Sequence, residues 1–188
     1  MATAYDLIVI GAGPGGYPAT LRAAELGRRT AVIECRELGG TCLNRGCIPT
    51  KTLLHATGLY RETLKASEAG LRAESLEIDG PALRARKNQV VETLQNGIAA
   101  QFKKHKVDVY YGIGTIEGEH QVTVTPNKGA GELSEETSEG PHAETPGNQP
   151  SAPIHLEAAS ILIATGSTPA APPIPGSSLE GVADSDIM

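Results

Sequence analysis

The stretch DLIVIGAGPGG, residues 6–16, decides the fold of this 188-residue chain. It begins with a short, continuous apolar run of the kind found in buried parallel strands. Glycines follow in the spacing G-x-G-x-x-G, and a helical pattern comes next. In such a unit Gly11 allows the tight turn, Gly13 lets a pyrophosphate approach the backbone, and Gly16 lets the helix pack on the strand. The stretch therefore predicts the strand, turn and helix of a dinucleotide-binding unit.

The segment TAVIE, residues 30–34, is predicted to be the second strand, and it ends in an acid 18 residues after Gly16. A carboxylate at this place accepts the ribose hydroxyls of a bound dinucleotide, which makes Glu34 a candidate binding residue. The alternative for Glu34 is a solvated carboxylate at a strand end. Pro18 departs from the usual helix pattern, and we expect it to be tolerated only if the helix begins near Gly15.

The segment GGTCLNRGCIPTK, residues 39–51, places two of the three cysteines five positions apart. On an ideal helix five residues rise about 7.5 Å, which exceeds the roughly 4.4–6.8 Å between Cα atoms that a disulfide allows. Cys42 and Cys47 can therefore bridge only if the turn between them is distorted, and Gly46 would permit that distortion. A strained, accessible disulfide is the labile kind that undergoes exchange. The segment suggests reversible dithiol–disulfide exchange, and the alternative is a pair of buried, inert thiols.

Cations lie close to these cysteines in the sequence. Arg45 and Lys51, with a helix N-terminus expected near Pro49, favour thiolate over thiol. We expect Cys35 to be a packed or idle thiol, because it has no partner in the motif. We expect His55 to be a helix residue near the site rather than a catalytic base.

The sequence of residues 39–51 resembles the redox-active motif of the flavin-dependent pyridine nucleotide–disulfide oxidoreductases. It is most similar to the dihydrolipoamide dehydrogenases. Glutathione, mercuric and thioredoxin reductases share the frame but usually differ at Leu43 and around Ile48 and Thr50. The resemblance covers nearly all of the chain, whereas the chain covers well under half of the family's length.

This resemblance implies a redox disulfide in which Cys42 exchanges with the substrate and Cys47 faces a flavin. It also implies that the cofactor is FAD and that Lys51 lies beside its reactive end. The residues implied to bind the cofactor are Gly11, Gly13, Pro14, Gly16, Glu34, Gly40, Thr41, Cys42, Lys51, Gly112, Gly114, Ala164, Thr165 and Gly166. For Gly112 and Gly114 the open alternative is that they are ordinary turn glycines. For the segment ATGS, residues 164–167, it is an ordinary turn at the end of a strand.

The rest of the chain predicts an α/β fold, a Rossmann-like parallel sheet with helices and a small antiparallel β-meander, incomplete relative to the resembled family. The long helix from Pro81 to about His105 carries an apolar stripe that includes Leu94, Ile98 and Phe102. The other predicted elements are a helix over 51–69, strands over 107–111 and 160–163, and meander arms over 121–125 and 154–157.

One domain boundary and one insertion are predicted. Residues 1–168 are predicted to form the FAD-binding domain, and 169–188 a proline-rich linker towards an NAD-binding domain that this chain lacks. Residues 126–153 are rich in Gly, Pro, Ser, Thr and Glu with almost no large apolar residue, so they are predicted to be a disordered surface insertion.

Charge and cysteine number restrict the function classes. A formal net charge of −6 argues against nucleic-acid or anionic-membrane partners. The N-terminus has no basic leader, and no apolar run approaches the roughly 18 residues of a membrane span, so we expect a cytoplasmic protein. Three cysteines do not form a secreted disulfide framework. No metal site is predicted.

The resemblance implies a dihydrolipoyl dehydrogenase activity: oxidation of dihydrolipoamide through Cys42–Cys47 and FAD, with NAD⁺ reduced at a domain absent from this chain. It implies the lipoamide of a 2-oxoacid dehydrogenase or glycine cleavage complex as partner, and a homodimer. One alternative is another flavin disulfide reductase of the glutathione, mercuric or thioredoxin reductase type. The other is a non-catalytic, truncated FAD-binding module.

Overall fold

The computed structural model describes residues 3–72, 75–127, 147–170, 172–177, 179–183 and 186. They form one mixed sheet with helices packed on it. In chain order the elements are β1 (Thr3–Ile10), α1 (Gly16–Glu25), β2 (Thr30–Glu34), α2 (Gly40–Asn44), α3 (Cys47–Leu64), a 3₁₀ turn (Ala66–Ala69), α4 (Gly80–Lys104), β3 (Asp108–Tyr111), β4 (Ile113–Gly118), β5 (Gln121–Thr125) and β6 (Ile154–Ile163).

The sheet has the strand order β3-β2-β1-β6-β5-β4. The first four of these strands run parallel, whereas β5 is antiparallel to β6 and β4 is antiparallel to β5. Strand β6 joins the two halves because it pairs with both β1 and β5. The register places Ile10 between Ile33 and Ile163, so the carboxyl ends of three parallel strands lie together. The predicted α/β fold with an antiparallel meander is confirmed.

One face of the sheet packs against the helices. Val9 and Val32 from the strands meet Leu43 from α2 and Ile98 and Phe102 from α4, and all five are buried. Phe102 is the only phenylalanine in the chain, so this core is almost entirely aliphatic. Burial of such side chains is the main source of folding free energy, at roughly 1.5–3 kcal/mol for each large one.

The other face of the sheet is covered by the meander. Ile8 and Ile33 share a buried cluster with Val122 and Val124 of β5. Gly114 of β4 lies over the same cluster, since a Cβ there would be 3.2 Å from side-chain atoms of Ile10 and of Ile33. The domain therefore has three layers, with the parallel strands in the middle.

Helix α4 begins where its capping residue predicts. The Asp79 side chain accepts a hydrogen bond from the Ala82 amide at 2.9 Å, and Pro81 lies in the first turn. The apolar stripe packs on the core at Val91, Ile98 and Phe102, whereas Leu94 is exposed. In the described part of the chain, no helix is both long and apolar enough to cross a membrane.

Of two other helix starts, that of α1 agrees with expectation and that of α3 differs by two residues. Helix α1 begins at Gly16, so Pro18 lies in the first turn, where backbone amides have no partner within the helix. Its missing N–H is therefore tolerated. Helix α3 begins at Cys47 rather than near Pro49, which places the cysteine itself at a helix N-terminus.

The predicted insertion over 126–153 falls largely outside the described residues, but its two ends contact the sheet. The Asn127 side chain donates to the Cys35 carbonyl at 2.7 Å. Asn148 forms a parallel bridge with Tyr110 on the free edge of β3. The Asn148 amide donates to the Val109 carbonyl at 2.8 Å, and the Asn148 carbonyl accepts from the Tyr111 amide at 3.0 Å. Asn127 and Asn148 are therefore bonded to the rest of the domain, whereas for residues 128–146, which lie outside the described residues, the disordered surface insertion stays a prediction.

Candidate functional site

The glycine turn, residues 11–16, connects β1 to α1 at the carboxyl edge of the parallel strands. Gly11 has φ +102°, and a Cβ there would overlap the Ala164 carbonyl. A Cβ at Gly16 would overlap the Gly11 carbonyl, so the helix starts in direct contact with the strand. Gly13 has more space, with its nearest neighbour, the Cα of Gly40, at 3.6 Å from a built Cβ. These contacts match the separate roles predicted for the three glycines.

Glu34 ends β2 beside this turn. Its carboxylate accepts the Ala12 amide at 2.7 Å on one oxygen and the Arg36 amide at 2.8 Å on the other. The residue is only 7% exposed, so the alternative of a solvated carboxylate is wrong. Each oxygen keeps a second lone pair, which leaves the group able to accept a hydroxyl as well.

The redox turn, residues 39–51, packs directly on the glycine turn. Its first residue, Gly39, has φ +97° and donates its amide to the Ala12 carbonyl at 2.9 Å. Gly40 follows with φ +61°, and a Cβ there would lie 2.7 Å from the Cα of Gly13 and 3.4 Å from Pro14. The two motifs, separate in sequence, therefore form one site.

The helix is broken between the two cysteines. Helix α2 ends at Asn44 and α3 begins at Cys47, with Gly46 between them. A Cβ at Gly46 would lie 3.2 Å from the Thr41 carbonyl oxygen and 3.5 Å from the Cα of Cys42. This close approach fits the prediction that Gly46 permits a distorted turn between the cysteines. Cys42 and Cys47 are thiols here, half-buried and exposed respectively, so the alternative of two buried, inert thiols is wrong.

The electrostatics of Cys42 differ from the sequence-based expectation. A hydrogen bond with the Cys47 side chain, then burial, raises the pKa of the Cys42 thiol above its ordinary value. The Lys51 charge lowers that pKa, as expected, but is outweighed. The Arg45 guanidinium contacts two carboxylates, Glu37 at 2.9 Å and Asp186 at 3.5 Å. In the dithiol form, Cys42 is therefore held as a thiol.

The remaining predicted residues lie around this centre. Lys51 is exposed on α3, one turn beyond Cys47 and therefore on the same helix face. Gly112 donates its amide to the Glu34 backbone carbonyl at 2.9 Å, whereas Gly114 lies within β4, so a plain turn is wrong for Gly114. Thr41 lies exposed on α2 between Gly40 and Cys42.

The ATGS segment leaves β6 beside the glycine turn. The Ala164 amide donates to the Ile10 carbonyl at 2.8 Å, and the Ala164 carbonyl packs on Gly11. Thr165 and Gly166 follow as exposed residues, with φ +75° at Gly166. The structure thus brings most of the predicted residues to one edge of the sheet. Gly114 instead lies over the hydrophobic core, where a Cβ would contact Ile10 and Ile33.

A family model described as pyridine nucleotide-disulphide oxidoreductase matches residues 5–187. The chain belongs to this family. The resemblance drawn from the cysteine motif is thereby confirmed at family level.

The relatives of this oxidoreductase chain are longer proteins. Dihydrolipoyl dehydrogenase from Bacillus subtilis (strain 168) is 38% identical over 181 residues, which are 96% of this chain and 35% of that protein. Dihydrolipoyl dehydrogenase 3 from Pseudomonas aeruginosa is 42% identical over 179 residues, which are 94% of this chain and 33% of that protein. Among solved structures, the HOCl-induced flavoprotein disulfide reductase RclA from Escherichia coli, a Cu(II) complex, is similar with TM-score 0.67 and 27% identity over 95% of this chain and 32% of that one. The chain spans about a third of the length of these relatives.

Sequence reasoning missed how the redox turn of this family member is supported. The Asn44 side chain donates to the Leu38 carbonyl at 3.0 Å and to the Gly40 carbonyl at 2.9 Å, and it accepts from Gln95 of α4 at 2.6 Å. The position of Asn44 inside the motif was a signal for its role. Nothing in the sequence pointed to Gln95, because its contact depends on where α4 crosses the turn.

Two residues near the site take no part in its geometry. Cys35 is exposed, and partial burial of its thiol followed by the Glu34 charge raises its pKa, which fits an idle thiol. His55 is exposed on α3. Within the described residues, no group of three or more His, Cys, Asp or Glu side chains is placed to hold a metal ion.

Proposed function

We propose that this chain is the flavin-binding, dithiol-carrying portion of a dihydrolipoyl dehydrogenase. The observation that carries the proposal is the contact between the glycine turn and the redox turn at Gly13 and Gly40. A dinucleotide whose pyrophosphate lies on the first turn is thereby directed towards the cysteines on the second. The same two motifs placed apart would support only binding or only thiol chemistry.

The residues at this edge fit FAD. Gly11, Gly13 and Gly40 leave the backbone open to a pyrophosphate, and the N-terminus of the ten-residue helix α1 offers amides to it. The spare lone pairs of Glu34 suit ribose hydroxyls. Lys51, one turn from Cys47, would lie beside the reactive ring. A flavin held by these residues would supply the two-electron chemistry that links the dithiol to NAD⁺.

The cysteines carry out the exchange with the substrate. Starting from the Cys42–Cys47 disulfide, a thiolate of dihydrolipoamide attacks the Cys42 sulfur, the disulfide breaks, and Cys47 leaves as a thiolate. The second substrate thiol then displaces Cys42, so that lipoamide is released as a disulfide and the protein holds the dithiol. Both cysteines are free thiols in this structure, which corresponds to the dithiol form.

The whole reaction needs more than this chain. We propose that the NAD site, the base that activates the substrate thiol and a homodimer interface belong to further sequence, since the relatives are about three times as long. The lipoamide of a 2-oxoacid dehydrogenase or glycine cleavage complex is the proposed partner. A reducing compartment, the cytoplasm, is the proposed location, because there a labile disulfide can be recycled.

A second candidate is another flavin disulfide reductase. Its support is the similarity to the Escherichia coli flavoprotein disulfide reductase, which covers nearly the whole chain. Two observations favour the first candidate. The redox turn carries the sequences TCLN and CIPTK, and the chain is 38–42% identical to dihydrolipoyl dehydrogenases.

The test is a spectrum and an assay. The chain, joined to whatever sequence follows it in its reading frame, should bind FAD and reduce NAD⁺ with dihydrolipoamide but not with glutathione. After reduction, Cys42→Ser should leave a Cys47 thiolate against the flavin and show long-wavelength charge-transfer absorbance, whereas Cys47→Ser should not. A colourless protein that cannot be reconstituted with FAD would overturn the proposal, and activity with glutathione alone would favour the second candidate.

The 188-residue chain alone should not turn over dihydrolipoamide with NAD⁺. The assay requires protein free of full-length enzyme, with Cys42→Ser as the control. Sustained turnover that disappears in the control would show that the chain is a self-sufficient enzyme.

A further inference from the structure

Asp186, close to the last residue of the chain, lies beside the redox turn. Its carboxylate contacts the Arg36 guanidinium at 3.2 Å and the Arg45 guanidinium at 3.5 Å. Arg45 also contacts Glu37 at 2.9 Å. These four side chains, the Arg45 network, alternate in charge in the order Glu37, Arg45, Asp186, Arg36.

Arg45 occupies the break between the two cysteines. It is the C-cap of α2, and its amide donates to the Thr41 carbonyl at 2.9 Å. Its side chain is only 17% exposed, and that of Asp186 is 21% exposed. Because both groups are largely shielded from water, their attraction is screened less than that of a surface pair.

The two cations nearest the cysteines behave differently. Lys51, exposed on α3, acts on Cys42 and lowers its pKa, whereas the groups that raise it are Cys47 and the surrounding burial. Arg45 is closer to Cys42 in sequence than Lys51 is. Its guanidinium is bound by two carboxylates, Glu37 from the loop before α2 and Asp186 from the C-terminal segment.

We propose that Asp186 is a positioning residue for the redox turn, which holds the Arg45 guanidinium together with Glu37 and thereby sets the reactivity of Cys42. Asp186 lies 141 positions after Arg45 in the sequence, so its position couples a distant residue to the thiol chemistry. The inference rests on the proposed function for the meaning of that chemistry.

The experiment compares thiol reactivity in variants of the full chain that carry Cys35→Ser. The reduced protein is treated with iodoacetamide at pH 7 and across a pH series, and mass spectrometry locates the label on Cys42 or Cys47. Asp186→Asn should accelerate Cys42 labelling at pH 7 by about twofold to fivefold and move the pH profile to lower pH, because a partly released Arg45 stabilises the thiolate. Asp186→Glu should restore the parent rate.

Two controls separate positioning from a general effect. Glu25→Gln removes an exposed ion pair of 3.1 Å with Arg22, far from the cysteines, and should leave the labelling rate unchanged. In an Arg45→Gln background Asp186→Asn should no longer change the rate, because Asp186 acts through Arg45. Circular dichroism verifies that each variant is folded.

Different results contradict this inference and the proposed function. Equal rates for Asp186→Asn and the parent, or an effect that persists in the Arg45→Gln background, would overturn the inference. The parent chain is also equilibrated with glutathione and glutathione disulfide, where Cys42 and Cys47 lose two protons and two electrons as the S–S bond forms and glutathione disulfide becomes two thiols. If no such disulfide forms, the proposed function fails; if it forms while labelling ignores Asp186, only this inference fails.

Discussion

The backbones of Gly13 and Gly40 lie in contact, so that a Cβ on Gly40 would stand 2.7 Å from the Gly13 Cα. Each glycine belongs to a different motif, and the contact leaves no room for a side chain on Gly40. It places the nucleotide-binding turn and the redox turn in a fixed relation, which short-range chemistry between a flavin and a thiol requires.

Replacing Gly40 should therefore disturb both stability and cofactor binding. Gly40→Ala should destabilise the chain by about 1–3 kcal/mol, because alanine disfavours φ +61° and its methyl group would displace the Gly13 turn. FAD affinity should fall as well. Urea unfolding and a flavin titration measure the two effects.

A glycine in an open place provides the control for Gly40. Gly58 lies within α3 with nothing within 4 Å of a built Cβ, so Gly58→Ala should stabilise the chain by about 0.4–1 kcal/mol. If Gly40→Ala were as stable as Gly58→Ala, the contact would have no structural importance.

Asn44 should be the main polar support of the redox turn. Asn44→Ala removes three hydrogen bonds and should destabilise the chain by about 1–3 kcal/mol. Gln95→Ala removes one of the three and should have an effect of about 0.5–1.5 kcal/mol. In the double variant the two effects should not add, because the residues share a bond. Full additivity in urea unfolding would contradict this arrangement.

Lys51 should control part of the pH dependence of Cys42. The thiolate is the reactive form, and the Lys51 charge favours it, so Lys51→Gln should raise the pKa of Cys42 further. Alkylation of Cys42 in the reduced chain should then be slower at pH 8, and its rate should rise at higher pH than in the parent. Lys65→Gln, at the far end of α3, is the matched control and should leave the profile unchanged. A Lys51→Gln profile shifted to lower pH would contradict the assignment.

The insertion should be dispensable only between its two anchoring residues. Replacing 128–146 by a short Gly-containing link should change stability little, since each doubling of loop length alters the closure free energy by about 0.6 kcal/mol. Replacing all of 126–153 also removes the bonds at Asn127 and Asn148 and should lower stability by about 1–3 kcal/mol more. Equal midpoints in urea for the two variants would show that the anchoring bonds contribute nothing.

The local units of this site could be predicted from sequence. The glycine turn, the acid that ends β2 and the cysteine turn each depend on residues less than about 20 positions apart and on one chemical requirement, such as space for a pyrophosphate. Glu34 illustrates the limit, because its position was predictable whereas its burial and its bonds to Ala12 and Arg36 were not. The direction of the Cys42 pKa was predicted wrongly, since counting nearby cations omits the hydrogen bond and the burial that outweigh them.

The amino-acid sequence by itself determined the α/β class, the two motifs and their chemistry, because these arise from residue types at short, regular spacings. Only the tertiary structure decided which distant residues support them: Gln95 against Asn44, Asp186 against Arg45, and Asn148 on the edge of β3. Those contacts join residues 38 to 141 positions apart. They exist because the sheet order and the crossing of α4 bring the segments together, and no local pattern records that packing.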